Sequence, residues 1–188
     1  MRGAIKAEKE RIRQEIRGIA ARLTPEYRRE ASRDITRQVL ALPVWQQAKT
    51  VMAFWSIDGE PDTRTLMETA LAEGKNLLLP RCVDGTTLAA LPVDSLAEVE
   101  PGLLGIPAPR ITGRRVPVPE LILVPCMAAS PQGIRLGHGA GYYDRFLAGQ
   151  HGTTVCLCFR RLLRPDLPAG ERDVPVDLVI SDGQEIGD

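Results

Sequence analysis

Aromatic residues are scarce in this chain: Trp, Tyr and Phe together make up 4% of 188 residues, and histidine occurs twice. Stacking platforms for single-stranded nucleic acid are therefore poorly supplied, and Tyr27 is the one aromatic before Trp45. Excess charge is missing too. Lys+Arg and Asp+Glu each count 24, so the net charge is zero, which argues against the broad basic face of a DNA-binding domain. No apolar run approaches the roughly 18 residues that a membrane span requires. The opening "MRGAIKAEKERIRQE" has no apolar h-region of a secretion signal. A cytoplasmic monomer with no nucleic-acid partner and no membrane is expected. Among the four cysteines, Cys82, Cys126, Cys156 and Cys158, there is no C-x-x-C pair, and ligands at zinc spacing are too few for a structural metal. Cys156 and Cys158 lie two apart in "TTVCLCF", so a strand would point both to one face as buried thiols.

What is present is enough for a core. Apolar residues make up 44% of the chain, and its length suits one domain, residues 1–188. Charge is unevenly spread: residues 1–40 hold eleven Lys/Arg against six Asp/Glu, a local excess of five. Such a region suits an anionic small ligand or a nucleic-acid backbone. Residues 4–22 read as a helix, with Ile5, Ile12, Ile16 and Ile19 near one stripe. Thr24 is expected to cap a second helix, with Pro25 at its first position and Glu26 in its first turn. That helix would run to Leu42, bury Ala31, Ile35, Val39 and Leu42, and stop before Pro43.

Strand-length apolar runs follow at 50–56, 76–80, 121–125, 153–159 and 177–181, with a short one near 88–91. Between the first two lies a helix that Asp62 would cap and Gly74 would end. Residues 84–119, rich in Gly and Pro, give no clear pattern. Strand, helix, strand in this rhythm predicts an α/β fold: a three-layer arrangement with a mostly parallel sheet flanked by helices and an N-terminal helical pair. Ligands of such sheets gather beyond the carboxyl ends of the strands.

One stretch beyond "LILVP" concentrates polar chemistry and backbone freedom. "RLGHGAGYYDRFLA", residues 135–148, alternates Gly137, Gly139 and Gly141 after Arg135, then places Tyr142, Tyr143 and Asp144 on a short expected helix. Glycine loops let a ligand approach the main chain, and successive amides form anion-binding nests. There is no G-K-[ST], so this is not a Walker loop, and the spacing is a poor dinucleotide fingerprint. On the glycines alone a plain surface turn remains open.

The whole string, R-L-G-x-G-x-G-Y-Y-D, resembles the signature of the 5-formyltetrahydrofolate cyclo-ligase (methenyltetrahydrofolate synthetase) family. "KERIR" at 9–13, "FWSIDGEPDT" at 54–63 and "LPAGERDVPVDLVIS" at 167–181 resemble that family's other segments, in family order. The resemblance implies ATP- and Mg2+-dependent conversion of 5-formyltetrahydrofolate to 5,10-methenyltetrahydrofolate. A formyl amide is a poor electrophile. Phosphorylating its oxygen makes an iminium-like phosphate, and nitrogen 10 then closes the ring and expels phosphate. No protein nucleophile is required.

By the same resemblance Lys9 and Arg13, four apart on one helical face, would touch ATP phosphates, although a solvated helix face is the plainer reading of that stretch. Arg135, Leu136, Gly137, His138, Gly139, Ala140, Gly141, Tyr142 and Tyr143 would complete the ATP site. Asp144 and Asp173 would face Mg2+, against the plainer readings of an exposed helix residue and a turn residue. Trp55, Glu60, His138 and Tyr142 would face the folate. For Trp55 a core position is equally open. For His138, contact with the reacting groups and simple solvation both stand.

The sequence departs from the family at three places. His138 and Ala140 replace the usual loop residues. Ala129 and Ser130 stand where many members have an aromatic and an acid. "GIPAPR", residues 105–110, lacks the acid of the common G-I-x-E-P. A divergent member that binds folate or nucleotide without turnover is therefore the alternative.

Overall fold

The computed structural model describes residues 2–183; Met1 and the last five positions of the expected 1–188 domain lie outside the described residues. Helices α1 (Arg2–Ala20), α2 (Pro25–Ala41) and α3 (Pro43–Gln47) open the chain. Then come β1 (Thr50–Met52), α4 (Arg64–Ala72), β2 (Asn76–Cys82), β3 (Leu88–Val93), β4 (Val99–Pro101) and β5 (Pro107–Pro109). β6 (Leu121–Val124), β7 (Ala128–Ala129), β8 (Arg135–Leu136), α5 (Tyr142–Leu147), β9 (Thr153–Leu157) and β10 (Leu178–Ile180) complete it.

Local chemistry sets the helix ends. Thr24 is extended at ψ 151°, and its hydroxyl accepts from Tyr27 N at 3.2 Å, a cap whose loss typically costs about 1 kcal/mol. α2 stops at Ala41, and Pro43 begins α3 instead of only ending α2; its missing N–H and fixed φ suit a first helical position. The short α3 carries Trp45 into the core, where its Nε1 donates to Glu73 at 3.2 Å. Asp62 is not the N-cap of α4: Thr63 holds that place, and its hydroxyl donates to Phe54 O. The Asp62 carboxylate instead accepts from Arg64 N at 2.9 Å. Gly74, at φ +71°, ends the helix in the left-handed conformation.

The main sheet runs β10-β9-β6-β1-β2-β3, parallel except for the antiparallel β2–β3 edge pair. β1 and β6 are buried at every position, which explains their unbroken apolar runs: helices flank the sheet and neither side alternates toward water. Each fully enclosed Leu, Ile or Val contributes about 1.5–3 kcal/mol. Strand order reverses at β1. The chain moves to β2 and β3 on one side, then returns to β6, β9 and β10 on the other. The crevice beyond the carboxyl ends of β1 and β6 is therefore a topological switch point. Among the described residues no helix is long and apolar enough to cross a membrane.

Candidate active site

A cleft of about 990 Å³ opens at that switch point. Phe54 and Trp55 reach it from beyond β1, Pro80 and Cys82 from the end of β2, and Pro125 from beyond β6. Lys9 and Arg13 enter from α1, residues 135–145 form one wall, and Asp173 closes it from the C-terminal loop. Every residue singled out by the family resemblance, from Lys9 to Asp173, lines this one cavity.

The glycine loop is held in a defined shape. Arg135 and Leu136 pair with Ala129 and Ala128, and Leu136 O accepts from Met127 N at 2.8 Å. The Leu136 side chain is itself buried, so its main chain does the positioning. Gly139 has φ +107° and Gly141, at the N-terminus of α5, has φ +70°. Beneath the loop, Arg13 Nε donates to Gly137 O at 2.8 Å, and a Cβ at Gly139 would lie 3.4 Å from Arg13 Cζ. A helix cation and the loop are thus in direct contact, although 124 positions separate them.

Arg145, which sequence reasoning missed, braces the loop. It donates from Nη2 to Ala140 O at 2.9 Å and from Nε to Thr86 O at 2.7 Å. Tyr142 OH donates to Asp84 O at 3.2 Å, so the β2–β3 turn and α5 are tied together. The turn is set by Asp84, whose carboxyl is held down at about 2 by the amides of Thr86 and Thr87 and the Thr86 hydroxyl. The only sequence signal for Arg145 was its place after Asp144 on the same short helix.

Three cations of the cleft, Lys9, Arg13 and Arg135, each meet a carboxylate. Arg135, with 4% of its side chain exposed, donates from Nη2 to Asp144 Oδ1 at 2.8 Å. Its guanidinium lies 5.8 Å from the centre of the Tyr143 ring, and its buried Nε has no partner among the described residues. Val174 N also donates to Asp144 Oδ1, at 3.1 Å. Lys9 Nζ meets Asp173 Oδ2 at 2.5 Å, and Gly170 N donates to the same oxygen. Arg13 Nη1 meets Glu10 at 3.0 Å. Asp144 Oδ2 and Asp173 Oδ1 accept no hydrogen bond among the described residues. No group of three or more His, Cys, Asp or Glu is placed to hold a metal among those residues. Two half-engaged carboxylates at a cleft still fit Mg2+, which takes one or two carboxylates and completes its shell with water and phosphate.

The remaining wall is flatter and more apolar. Trp55 is half-buried, packed on the core behind and lining the cleft in front, with Arg64 Cζ 5.5 Å from its ring centre. Trp55 thus packs on the core and also lines the cleft. Glu60 is 5% exposed; its Oε2 accepts from Ile57 N at 3.0 Å, and its Oε1 stands 3.5 Å from His138 Nε2. His138 is 51% exposed, and that distance is at the outer limit of a hydrogen bond. The Tyr143 hydroxyl is enclosed without a partner among the described residues. Burial, and then the charge of Glu60, push that phenol well above its ordinary value. A side pocket of about 240 Å³ adjoins Glu60 and His138, floored by Ile16, Cys126, Met127 and Leu162.

The departures fall unevenly. Ala129 and Ser130 are buried and line neither cavity. Ser130 instead closes a turn, its hydroxyl accepting from Ile134 N at 3.2 Å. Residues 103–108 of the unread segment do reach the cleft, through Leu103, Leu104, Ile106, Pro107 and Ala108.

Comparison with known proteins identifies the family and the fold. The chain is 33% identical over 167 residues to the 5-formyltetrahydrofolate cyclo-ligase of Escherichia coli K12, covering 85% of this chain and 92% of that protein. It is 31% identical over 177 residues to the Haemophilus influenzae protein of the same name, covering 90% and 95%. The fold matches the NMR structure of Aquifex aeolicus 5,10-methenyltetrahydrofolate synthetase with a TM-score of 0.82 at 29% identity, over 96% of each chain. With the family model for 5-formyltetrahydrofolate cyclo-ligases matching residues 5–182, the chain belongs to the 5-formyltetrahydrofolate cyclo-ligase family of enzymes.

Proposed function

We propose that the chain, working as one domain, converts 5-formyltetrahydrofolate to 5,10-methenyltetrahydrofolate with ATP and Mg2+. The observation that carries this reading is the single cleft that joins the α1 cations, the glycine loop and two carboxylates to Trp55 and Glu60. Lys9, Arg13 and Arg135 supply positive charge for the triphosphate, and the loop amides at 137–141 supply fixed donors beside it. Asp144 and Asp173 would hold Mg2+, which when bound offsets charge on the phosphoryl group in transfer.

Glu60 is oriented by its own loop through Ile57 N, so that Oε1, 3.5 Å from His138 Nε2, can accept from the amino and ring N–H groups of a pterin. Trp55 gives the ring system an apolar wall. His138 stands where the glycine loop comes nearest Glu60, so the formyl oxygen and the terminal phosphate are brought together at that junction. The protein's part is positioning and charge compensation, with no covalent step of its own. Ala129 and Ser130 lie outside the cleft, so that segment gives no reason to expect binding without turnover.

The test is growth of methenyltetrahydrofolate absorbance when folded protein meets 5-formyltetrahydrofolate, ATP and Mg2+, with each omitted in turn. Absence of turnover refutes the reading; tight ligand binding in that case identifies a non-turnover member. We place the reaction in the cytoplasm, a reading that four free thiols support, without a nucleic-acid partner, which zero net charge supports, and in a monomer. Light scattering and a mobility-shift assay at physiological salt check the last two points.

A further inference from the structure

The cleft holds two of its cations already paired with two of its carboxylates. Lys9 of α1 is paired with Asp173, 164 positions away, with side chains only 15% and 17% exposed. Arg135 is paired with Asp144 in the same cavity. Pairs this enclosed are screened less than surface pairs, and separating the partners leaves an uncompensated charge. The function proposed above asks the same four groups to do something else: two cations to take phosphate oxygens and two carboxylates to face a divalent cation. A phosphate arriving alone meets Lys9 already occupied. A cation arriving alone meets Asp173 already neutralised. Arriving together, they can exchange partners with the protein and leave no charge unpaired.

We propose that Asp173 is a positioning residue that stands in for phosphate: in the free protein it pins Lys9, and this pinning makes ATP binding depend on the divalent cation. The inference rests on the ATP-dependent reading of the site. Asp173 suits the test because its Oδ2 also accepts from Gly170 N. Asp173→Asn keeps an amide oxygen for that bond, removes the charge and puts an NH2 in place of the other oxygen.

ATP is titrated calorimetrically into wild type, Asp173→Asn, Lys9→Met and the double variant, with Mg2+ or with chelator. Folate is left out so that nothing turns over. In wild type, Mg2+ strengthens ATP binding. Asp173→Asn binds Mg2+-free ATP about three- to tenfold more tightly than wild type, the size expected from releasing one partly enclosed ion pair, and gains less from Mg2+. In the Lys9→Met background the same change brings less than about a twofold gain, since there is no ammonium left to release. As a second reading, Lys9→Met binds Mg2+ alone more tightly than wild type, because Asp173 has lost its partner.

Wild type that binds ATP with Mg2+, combined with an Asp173→Asn affinity for Mg2+-free ATP no better than wild type, overturns the inference and leaves the proposed function standing. A gain that persists without Lys9 overturns it too, by showing a general charge effect. If Asp173→Asn fails to fold, the Mg2+ titration of Lys9→Met decides, and an unchanged affinity there overturns the proposal. Wild type that binds no ATP even with Mg2+ removes the proposed function and this inference together.

Discussion

The three glycines of the signature loop look alike in sequence, yet the structure ranks them. At Gly139, φ is +107°, well beyond the left-handed basin near about +57° that other residues visit. Alanine there is strained by about 2–3 kcal/mol. Its new methyl would also lie against the Arg13 guanidinium, 3.4 Å from Cζ. At Gly141, φ is +70°, inside that basin, so alanine is strained by about 1–2 kcal/mol. Its Cβ would come within 2.9 Å of Arg145 Nη1, a flexible end that can move but only by disturbing the brace to Ala140. Gly137 has no positive φ, and its Cβ would meet only Arg135 Nη1 at ordinary contact, 3.6 Å. Alanine there is neutral, or stabilises by up to about 1 kcal/mol through the unfolded chain. For a domain of this size each kcal/mol moves Tm by about 2–4 °C. The expected order is Gly139→Ala down by about 4–12 °C, Gly141→Ala down by about 2–8 °C, and Gly137→Ala within about 3 °C of wild type or above it. Circular-dichroism melts measure this, and ATP titration should show Gly139→Ala weakened, because relief of the φ strain shifts the loop amides. Equal losses at all three positions, or the largest loss at Gly137, would refute the reasoning.

Three further outcomes follow from single features. Tyr143→Phe removes an enclosed hydroxyl without a partner among the described residues, so urea denaturation should show unchanged or higher stability, by up to about 1 kcal/mol; a loss above that size contradicts the assignment. Leu104 holds φ +56° with its residue 89% exposed, and Leu104→Gly should stabilise by about 0.5–1 kcal/mol after the entropy of the unfolded glycine is offset; destabilisation would show that the leucine packs in solution. Tyr27 donates to Asp182 at 3.0 Å, and burial followed by that hydrogen bond pushes its phenol up to about 12. The folded chain therefore keeps a proton that the unfolded chain loses near pH 10, so the bond's contribution is complete below pH 10 and fades as pH rises through about 12. The stability gap between wild type and Tyr27→Phe should narrow across that window, and a constant gap speaks against it.

Much of this was legible because it was local. The start Thr24-Pro25-Glu26 carries its own capping chemistry, and the fully buried runs of β1 and β6 cannot belong on a half-wet sheet. The first strand is shorter than its apolar run, 50–52 against 50–56, because the chain leaves the sheet to bring Phe54 and Trp55 to the cleft. The run at 153–159 likewise stops pairing at Leu157, and the one at 177–181 narrows to 178–180. The short strand expected near 88–91 is β3, Leu88–Val93, whereas 94–119 gives no pattern because β4 and β5 are three-residue strands rich in proline, held to each other and through Arg81, which donates to Pro109 O and Glu100. Family resemblance named Lys9, Asp173, Arg135 and Asp144 one by one. That they pair with each other needed the fold, since nothing near Lys9 in the chain announces a partner 164 positions on.

That long reach also bears on how the protein is made. Lys9 leaves the ribosome 164 positions before Asp173, and the wall they share closes only when both are out. A nascent chain halted in the parallel strands carries a sheet without its β10 edge and an open-sided cleft. Pairings of such sequence separation form slowly, so the binding wall is expected to close well after α1 has emerged and stood exposed.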